Sequence, residues 1–112
     1  MTSRYKLYSH DNSFIREYDI IPEHFTGIAI YVSGSKHWFT NGKKHRVEGP
    51  ASEYTCGSKE WYINGKLHRL DGLAVKWHDG TKNWCIDGKI IEGATEKSFK
   101  LLIDIMKLKG LI

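Results

Sequence analysis

Residues 57–79 read GSKEWYINGKLHRLDGLAVKWHD, and this stretch decides the fold. Residues 34–56 repeat it as GSKHWFTNGKKHRVEGPASEYTC, and residues 80–93 as GTKNWCIDGKIIEG, with starts 23 residues apart. Trp38, Trp61 and Trp84 fall in register, as do Asn41, Asn64 and Asp87, then Gly42, Gly65 and Gly88, then Lys43, Lys66 and Lys89. His45-Arg46 aligns with His68-Arg69, Gly49-Pro50-Ala51 with Gly72-Leu73-Ala74, and Tyr54 with Trp77. A degraded earlier copy, one residue short, is visible in Gly27-Ile28-Ala29 and Tyr31. Such periodicity marks a repeat architecture.

Each copy reads as a hairpin. Asn41-Gly42, Asn64-Gly65 and Asp87-Gly88 are pairs that suit a two-residue type I′ turn, whose central residues both need φ > 0. Each pair follows a short run rich in aromatic and β-branched residues, over 37–40, 60–63 and 83–86, which predicts a strand. A return strand is predicted at 66–68, a second turn at Val47-Glu48-Gly49 or Leu70-Asp71-Gly72, and a further strand at 51–54 or 73–77. Asp79-Gly80 turns the chain into the third copy. The prediction is mainly β: an antiparallel hairpin-repeat meander with one C-terminal helix. Alternation puts Trp61 on one face with Lys59 and Ile63, and Tyr62 on the other with Glu60. One copy cannot bury its aromatic face alone, so stacked copies are expected to align the three tryptophans as a ladder.

Outward from the repeats, residues 3–8 and 14–21 read as a hairpin joined by Ser9-His10-Asp11-Asn12 and ended by Pro22. The third copy carries Ile91-Glu92 where the others carry His-Arg. Thr95 then suits the N-cap of a helix from Glu96 to about Lys109. Phe99, Leu102, Ile103 and Met106 share one face, and Gly110 stops the helix. This helix is expected to cover an open end or one face of the sheet. The chain of 112 residues is thus read as one domain. Residues 1–33 form an N-terminal hairpin and degenerate repeat, 34–93 three repeats, and 94–112 a capping helix.

Composition agrees with a folded chain: 40% of residues are hydrophobic and 27% charged. The formal charge is +4. Residues 34–93 hold ten basic and seven acidic side chains and residues 94–112 four and two, so the positive charge lies in the repeats and tail. That inclines the surface toward an anionic partner. Cys56 and Cys85 form no C-x-x-C pair, which speaks against a disulfide framework or zinc site and for two free thiols in the cytoplasm. Met1–Tyr8 has no apolar core of a secretory signal, and no apolar run is long enough for stable membrane insertion.

The 23-residue period, the aromatic strand, the N-G-K turn and the D-G at the copy boundary resemble MORN repeats. The resemblance is nearest to a variant in proteins of bacteriophages and large DNA viruses, with copies reading W-Y-x-N-G-K-x-H-R-x-D-G-P-A. Trp61–Ala74 matches it except for Leu73 in place of Pro; the first copy has Glu48 for Asp, and the third departs heavily. The resemblance covers about residues 34–93. It implies association with lipid head groups, protein partners or scaffolding. The viral form implies a small accessory protein that binds and blocks, or adapts, a host protein in the host cytoplasm.

Catalysis finds little support in the residues. His45, His68, Arg46 and Arg69 recur with the repeat, so service to the repeat is the better reading. His10, His24, His37 and His78 are scattered without metal-ligand spacing. No G-x-S-x-G elbow occurs, and the glycines are periodic turn residues rather than a phosphate loop. Cys85 aligns with Phe39 and Tyr62 and is expected to pack on the sheet, with Cys56 exposed near a turn. The chain is read as a non-enzyme without cofactor.

Lysines interleaved with aromatics remain: Lys36, Lys43, Lys44, Lys59, Lys66, Lys76, Lys82 and Lys89. Such a surface suits bases and phosphates. The candidate contacts are Lys43, Lys44, Arg46, Lys66 and Arg69, with Tyr54 and Trp77 as the exposed aromatics. Two functions stay open. One is a blocker or adaptor of a host protein, acting in host takeover or counter-defence. The other is sequestration of an anionic ligand such as a cyclic nucleotide immune signal. A lipid-bound scaffold using Lys97, Lys100, Lys107 and Lys109 is a third, and association with further copies of the chain also stays open. Replacing Lys43, Lys44 and Arg46 with Ala is expected to weaken binding without unfolding the domain.

Overall fold

A computed structural model describes residues 4–112, so Ser3, the first residue of the predicted strand at 3–8, lies outside the described residues with Met1 and Thr2. Among the described residues, thirteen strands precede one helix. The N-terminal strands are β1 (Tyr5–Tyr8), β2 (Phe14–Tyr18) and β3 (Gly27–Tyr31). The first copy holds β4 (Lys36–Thr40), β5 (Lys43–Lys44) and β6 (Ser52–Glu53). The second holds β7 (Lys59–Glu60), β8 (Tyr62–Ile63), β9 (Lys66–Leu67) and β10 (Val75–Lys76). The third holds β11 (Lys82–Asn83), β12 (Cys85–Ile86) and β13 (Lys89–Ile90), followed by α1 (Glu96–Leu108).

The main sheet is antiparallel in the order β11-β10-β7-β6-β4-β3-β1-β2, with β5 beside β4. Pairs β8-β9 and β12-β13 are the N-G and D-G hairpins of later copies. Their turn residues hold the predicted positive φ: 52° and 82° at Asn41-Gly42, 51° and 81° at Asn64-Gly65, 49° and 82° at Asp87-Gly88. The ladder breaks at Trp61, yet the Trp61 N–H still donates to the Ala74 carbonyl (2.8 Å) and its carbonyl accepts the His68 N–H (3.0 Å).

The connecting strands are shorter than the sequence predicts, two residues each at β6 and β10. An arginine braces the bend before each. Arg46 Nη1 donates to the Pro50 carbonyl (3.1 Å) and Arg69 Nη1 to the Leu73 carbonyl (3.0 Å). Those carbonyls therefore serve the bend rather than an extended strand.

The molecule measures 51 × 32 × 20 Å. Its thin dimension leaves no room for one deep core, and three small clusters replace it. Leu7, Phe25, Ala29 and Phe39 form the first; Ala74, Val75 and Cys85 the second; Ile86, Phe99 and Ile103 the third. The expected tryptophan ladder takes a different form. The three rings are half-buried, and no ring-on-ring contact joins two of them among the described residues. Arg46 lies over Trp38, its guanidinium 3.9 Å from the ring centre, and Arg69 over Trp61 at 4.1 Å. Each such cation–π contact contributes on the order of 1 kcal/mol where partly desolvated.

The third copy has no arginine for Trp84, and α1 fills that place. Phe99 meets Trp84 at 6.1 Å between centres, and Leu102, Ile103 and Met106 pack around Ile86, Leu70 and Ile91. The helix thus covers the apolar side chains of the third copy. Thr95 and Ser98 form a reciprocal capping box at its start, worth about 1 kcal/mol.

Candidate functional site

Strand register sorts the side chains into two faces. Directly opposed residues Leu7, Ala29, His37, Ser52, Glu60 and Val75 make one row across β1, β3, β4, β6, β7 and β10. The other face carries Lys36, Glu53, Lys59, Lys76 and Lys82 in a second row. Glu53 separates Lys36 from Lys59, but Lys59, Lys76 and Lys82 stand directly opposite one another with no carboxylate between. Like charges so placed oppose folding by roughly 0.2–1 kcal/mol per pair. No salt bridge among the described residues uses a lysine.

This lysine row runs into a groove of about 700 Å³ beside α1. Lys76 and Lys82 enter from the sheet, Lys100 and Lys107 from the helix, and Trp84 and Phe99 supply an apolar wall. Arg69 and Asp71 also line it, but they bind each other at 2.9 Å. Glu96 and Asp104 are its remaining acids, so four lysines outside any salt bridge among the described residues, one of them (Lys76) 5.6 Å from the Trp61 ring centre, face two carboxylates. The arrangement can hold an anion that also presents a flat or apolar body.

The residues singled out from sequence divide into separate roles. Arg46 and Arg69 are engaged within their own copies: both cover a tryptophan, Arg46 lies 3.5 Å from Glu53, and Arg69 bonds Asp71. Replacing Arg46 together with Lys43 and Lys44 would therefore remove a contact of the fold as well as a charge, because its guanidinium bonds the Pro50 carbonyl at the bend. Lys43 and Lys66 are exposed, with their stems under the turn glycines Gly65 and Gly88 of the following copy. Lys44 is half-buried over the Tyr62 ring at 5.2 Å, and burial lowers its pKa against the opposing pull of Glu60. None of Lys43, Lys44 and Lys66 lines the groove.

Tyr54 and Trp77 do come together, on the opposite face. The Tyr54 hydroxyl donates to Glu60 Oε1 (3.0 Å) and the Trp77 indole N–H to Glu60 Oε2 (3.0 Å), while the Tyr62 hydroxyl also reaches Oε1 (3.3 Å). Burial and the Glu60 charge push the Tyr54 and Tyr62 hydroxyls up to about 12.

His45 and His68 serve the stack. The Asn64 N–H donates to His45 Nδ1, and the Asp87 N–H to His68 Nδ1, each at 3.0 Å. Cys85 is buried and Cys56 exposed, as the repeat alignment suggests.

The groove escaped sequence reasoning, although two signals pointed to it. A lysine recurs at the third position of every copy, and the third copy loses the arginine that would have covered Trp84. No family model matches the chain, and neither a curated protein nor a solved structure matches it. Among the described residues no helix is long and apolar enough to cross a membrane.

Proposed function

We propose that this chain is a non-catalytic binding protein that captures a phosphate-bearing anion of the nucleotide class in the groove between the third copy and α1. One observation carries the reading: Lys76, Lys82, Lys100 and Lys107 converge there beside Trp84, with no lysine salt-bridged among the described residues. Lys76 and Lys82 stand directly opposite each other, and an anion relieves that repulsion. The indole and Phe99 offer a surface for a base. This favours sequestration of an anionic signal, of which a cyclic nucleotide is one form.

The test is calorimetric titration with pyrophosphate, a nucleoside triphosphate and a cyclic dinucleotide at two salt concentrations. The reading expects saturable binding that weakens as salt rises. It also expects loss of binding when Lys76 and Lys107 are both changed to Glu. Retention of full affinity in that variant would refute the groove as the site.

A second reading, docking onto a protein, is favoured by the outer side of α1. Leu101, Ile105 and Leu108 are exposed there at 60%, 42% and 88%, and Leu111 and Ile112 beyond the helix are exposed as well. An apolar strip flanked by lysines suits a helix-in-groove contact with an acidic protein. This is the surface a host-protein blocker or adaptor would use. Phosphate ligands that fail to bind, together with stoichiometric capture of one polypeptide lost in Leu101→Glu and Ile105→Glu, would favour it over sequestration.

A further inference from the structure

On the face opposite the groove, a pocket of about 240 Å³ is lined by Tyr54, Cys56, Ser58, Glu60, Trp77 and the His78-Asp79 pair. We infer that this pocket is a binding site for a small organic cation, of the quaternary or alkyl ammonium class, with Tyr54 and Trp77 as walls and Glu60 as the counter-charge. This inference does not rest on the anion reading of the groove.

Glu60 is only 7% exposed, and its three hydrogen-bond donors, Tyr54, Tyr62 and Trp77, are all neutral. It forms no salt bridge among the described residues; the half-buried Lys44 is near enough to feel the Glu60 charge but stands beyond ion-pair distance. Burying a carboxylate without an ion pair is costly. The donors hold its two oxygens and orient the rings, but they leave its negative charge in place. Trp77, pinned by its N–H, is still 44% exposed. A carboxylate between two electron-rich rings attracts a cation whose methyl groups tolerate an apolar wall. Asp79 adds a second negative charge at the rim, where the Thr81 N–H holds it at 2.8 Å.

The repeat supplies an internal comparison. His37, Glu60 and Asn83 occupy the same position in the three copies, and only Glu60 is an acid. Tyr31, Tyr54 and Trp77 are likewise equivalent. At the preceding junction, between Tyr31 and Tyr54, the floor is His37, packed against both rings at 4.3 and 5.4 Å. The repeat therefore builds the same aromatic pair at two junctions and places a carboxylate beneath one. His37 fills the equivalent place without a carboxylate, so the negative charge is particular to the second junction.

The experiment follows the Trp77 indole N–H and the Ser58 amide of the full chain by NMR during titration with tetramethylammonium, choline and trimethyl-lysine amide. A matched titration uses 3,3-dimethylbutanol, which has choline's shape without its charge. Saturable shifts with the cations are expected at millimolar concentration, and about ten-fold weaker binding of the alcohol. Glu60→Gln should weaken the cations about ten-fold as well. Should that variant fail to fold, Trp77→Leu, at an exposed position and read at Ser58, is expected to remove binding. Tighter choline binding would identify a head-group source, and tighter trimethyl-lysine binding a methylated protein. No saturable shift up to about 100 mM cation would overturn the inference. So would equal affinity for choline and the alcohol, or cation binding unchanged in both variants.

Discussion

His45 Nδ1 accepts the backbone N–H of Asn64, 3.0 Å away in the turn of the next copy. His68 does the same for Asp87 at 3.0 Å. The Asp87 carboxylate lies 3.5 Å from that His68 nitrogen, farther than the amide, so the nitrogen acts as acceptor and the ring proton sits on Nε2. Thr26 Oγ1 plays this part for Asn41 at the degenerate first junction. The side chain of one copy thus completes the turn of the next. His45→Ala and His68→Ala are each expected to lower stability by about 1–2 kcal/mol in urea denaturation. No change in either would remove the histidines from the stacking role.

Arg46→Ala should destabilise the fold by about 1–2 kcal/mol, since it removes the cover of Trp38 and the bond to the Pro50 carbonyl. Lys43→Ala, at an exposed lysine outside any salt bridge among the described residues, should change stability by less than about 0.5 kcal/mol. Thermal melts of the two variants check this directly. Equal effects would mean that Arg46 is not structural.

Lys76→Glu places a carboxylate between Lys59 and Lys82 in the ladder. It should raise stability by roughly 0.2–1 kcal/mol per relieved pair while weakening anion binding. Opposite signs for stability and affinity are the signature of a functional charge. A variant that loses both would instead indicate damage to the sheet.

His37 is 2% exposed, with Nδ1 bonded to Ser52 Oγ at 2.8 Å and no partner at Nε2 among the described residues. Burial first, then the Lys44 charge, pushes its pKa down to about 4. The neutral ring is favoured in the folded state, whereas the unfolded ring takes a proton near pH 6.5. Its stabilising share is therefore complete above about pH 6.5 and falls away toward pH 4, by up to about 3 kcal/mol. Acid titration of stability against a His37→Gln variant isolates this share from that of the carboxylates. Parallel curves between pH 6.5 and 4 would contradict it.

Gly42 and Gly65 hold the same turn position with φ of 82° and 81°, yet their surroundings differ. A Cβ on Gly42 would lie 1.9 Å from the Glu23 carbonyl oxygen, while one on Gly65 would meet only the flexible Lys43 side chain at 3.6 Å. Gly65→Ala should cost about 1–2 kcal/mol from backbone strain alone. Gly42→Ala should cost clearly more. Chemical denaturation of the pair separates strain from steric exclusion.

Much of the fold was legible because its determinants are local. The N-G and D-G pairs demand positive φ wherever they occur, and the strands around them inherit the alternation. Thr95, Phe99 and Gly110 likewise mark the helix within a few residues of its observed bounds. The candidate contacts were less legible. Arg46 and Lys76 look equally available in the sequence, but only the structure shows Arg46 bonded to Pro50 and Lys76 facing a groove.

The sequence alone determined the repeat, its turns, the faces of its strands and the capping helix, since each follows from backbone chemistry over a few residues. Tertiary structure decided which charges remain available. Lys76 and Lys107 are 31 positions apart, and their convergence depends on how α1 docks against Trp84 and Ile86. Glu60 likewise acquires its aromatic surroundings from Tyr54 and Trp77, which strand pairing brings to one carboxylate from two copies. Interactions through space between distant residues set both candidate sites; the recurring lysine and the missing arginine become a groove only where α1 docks.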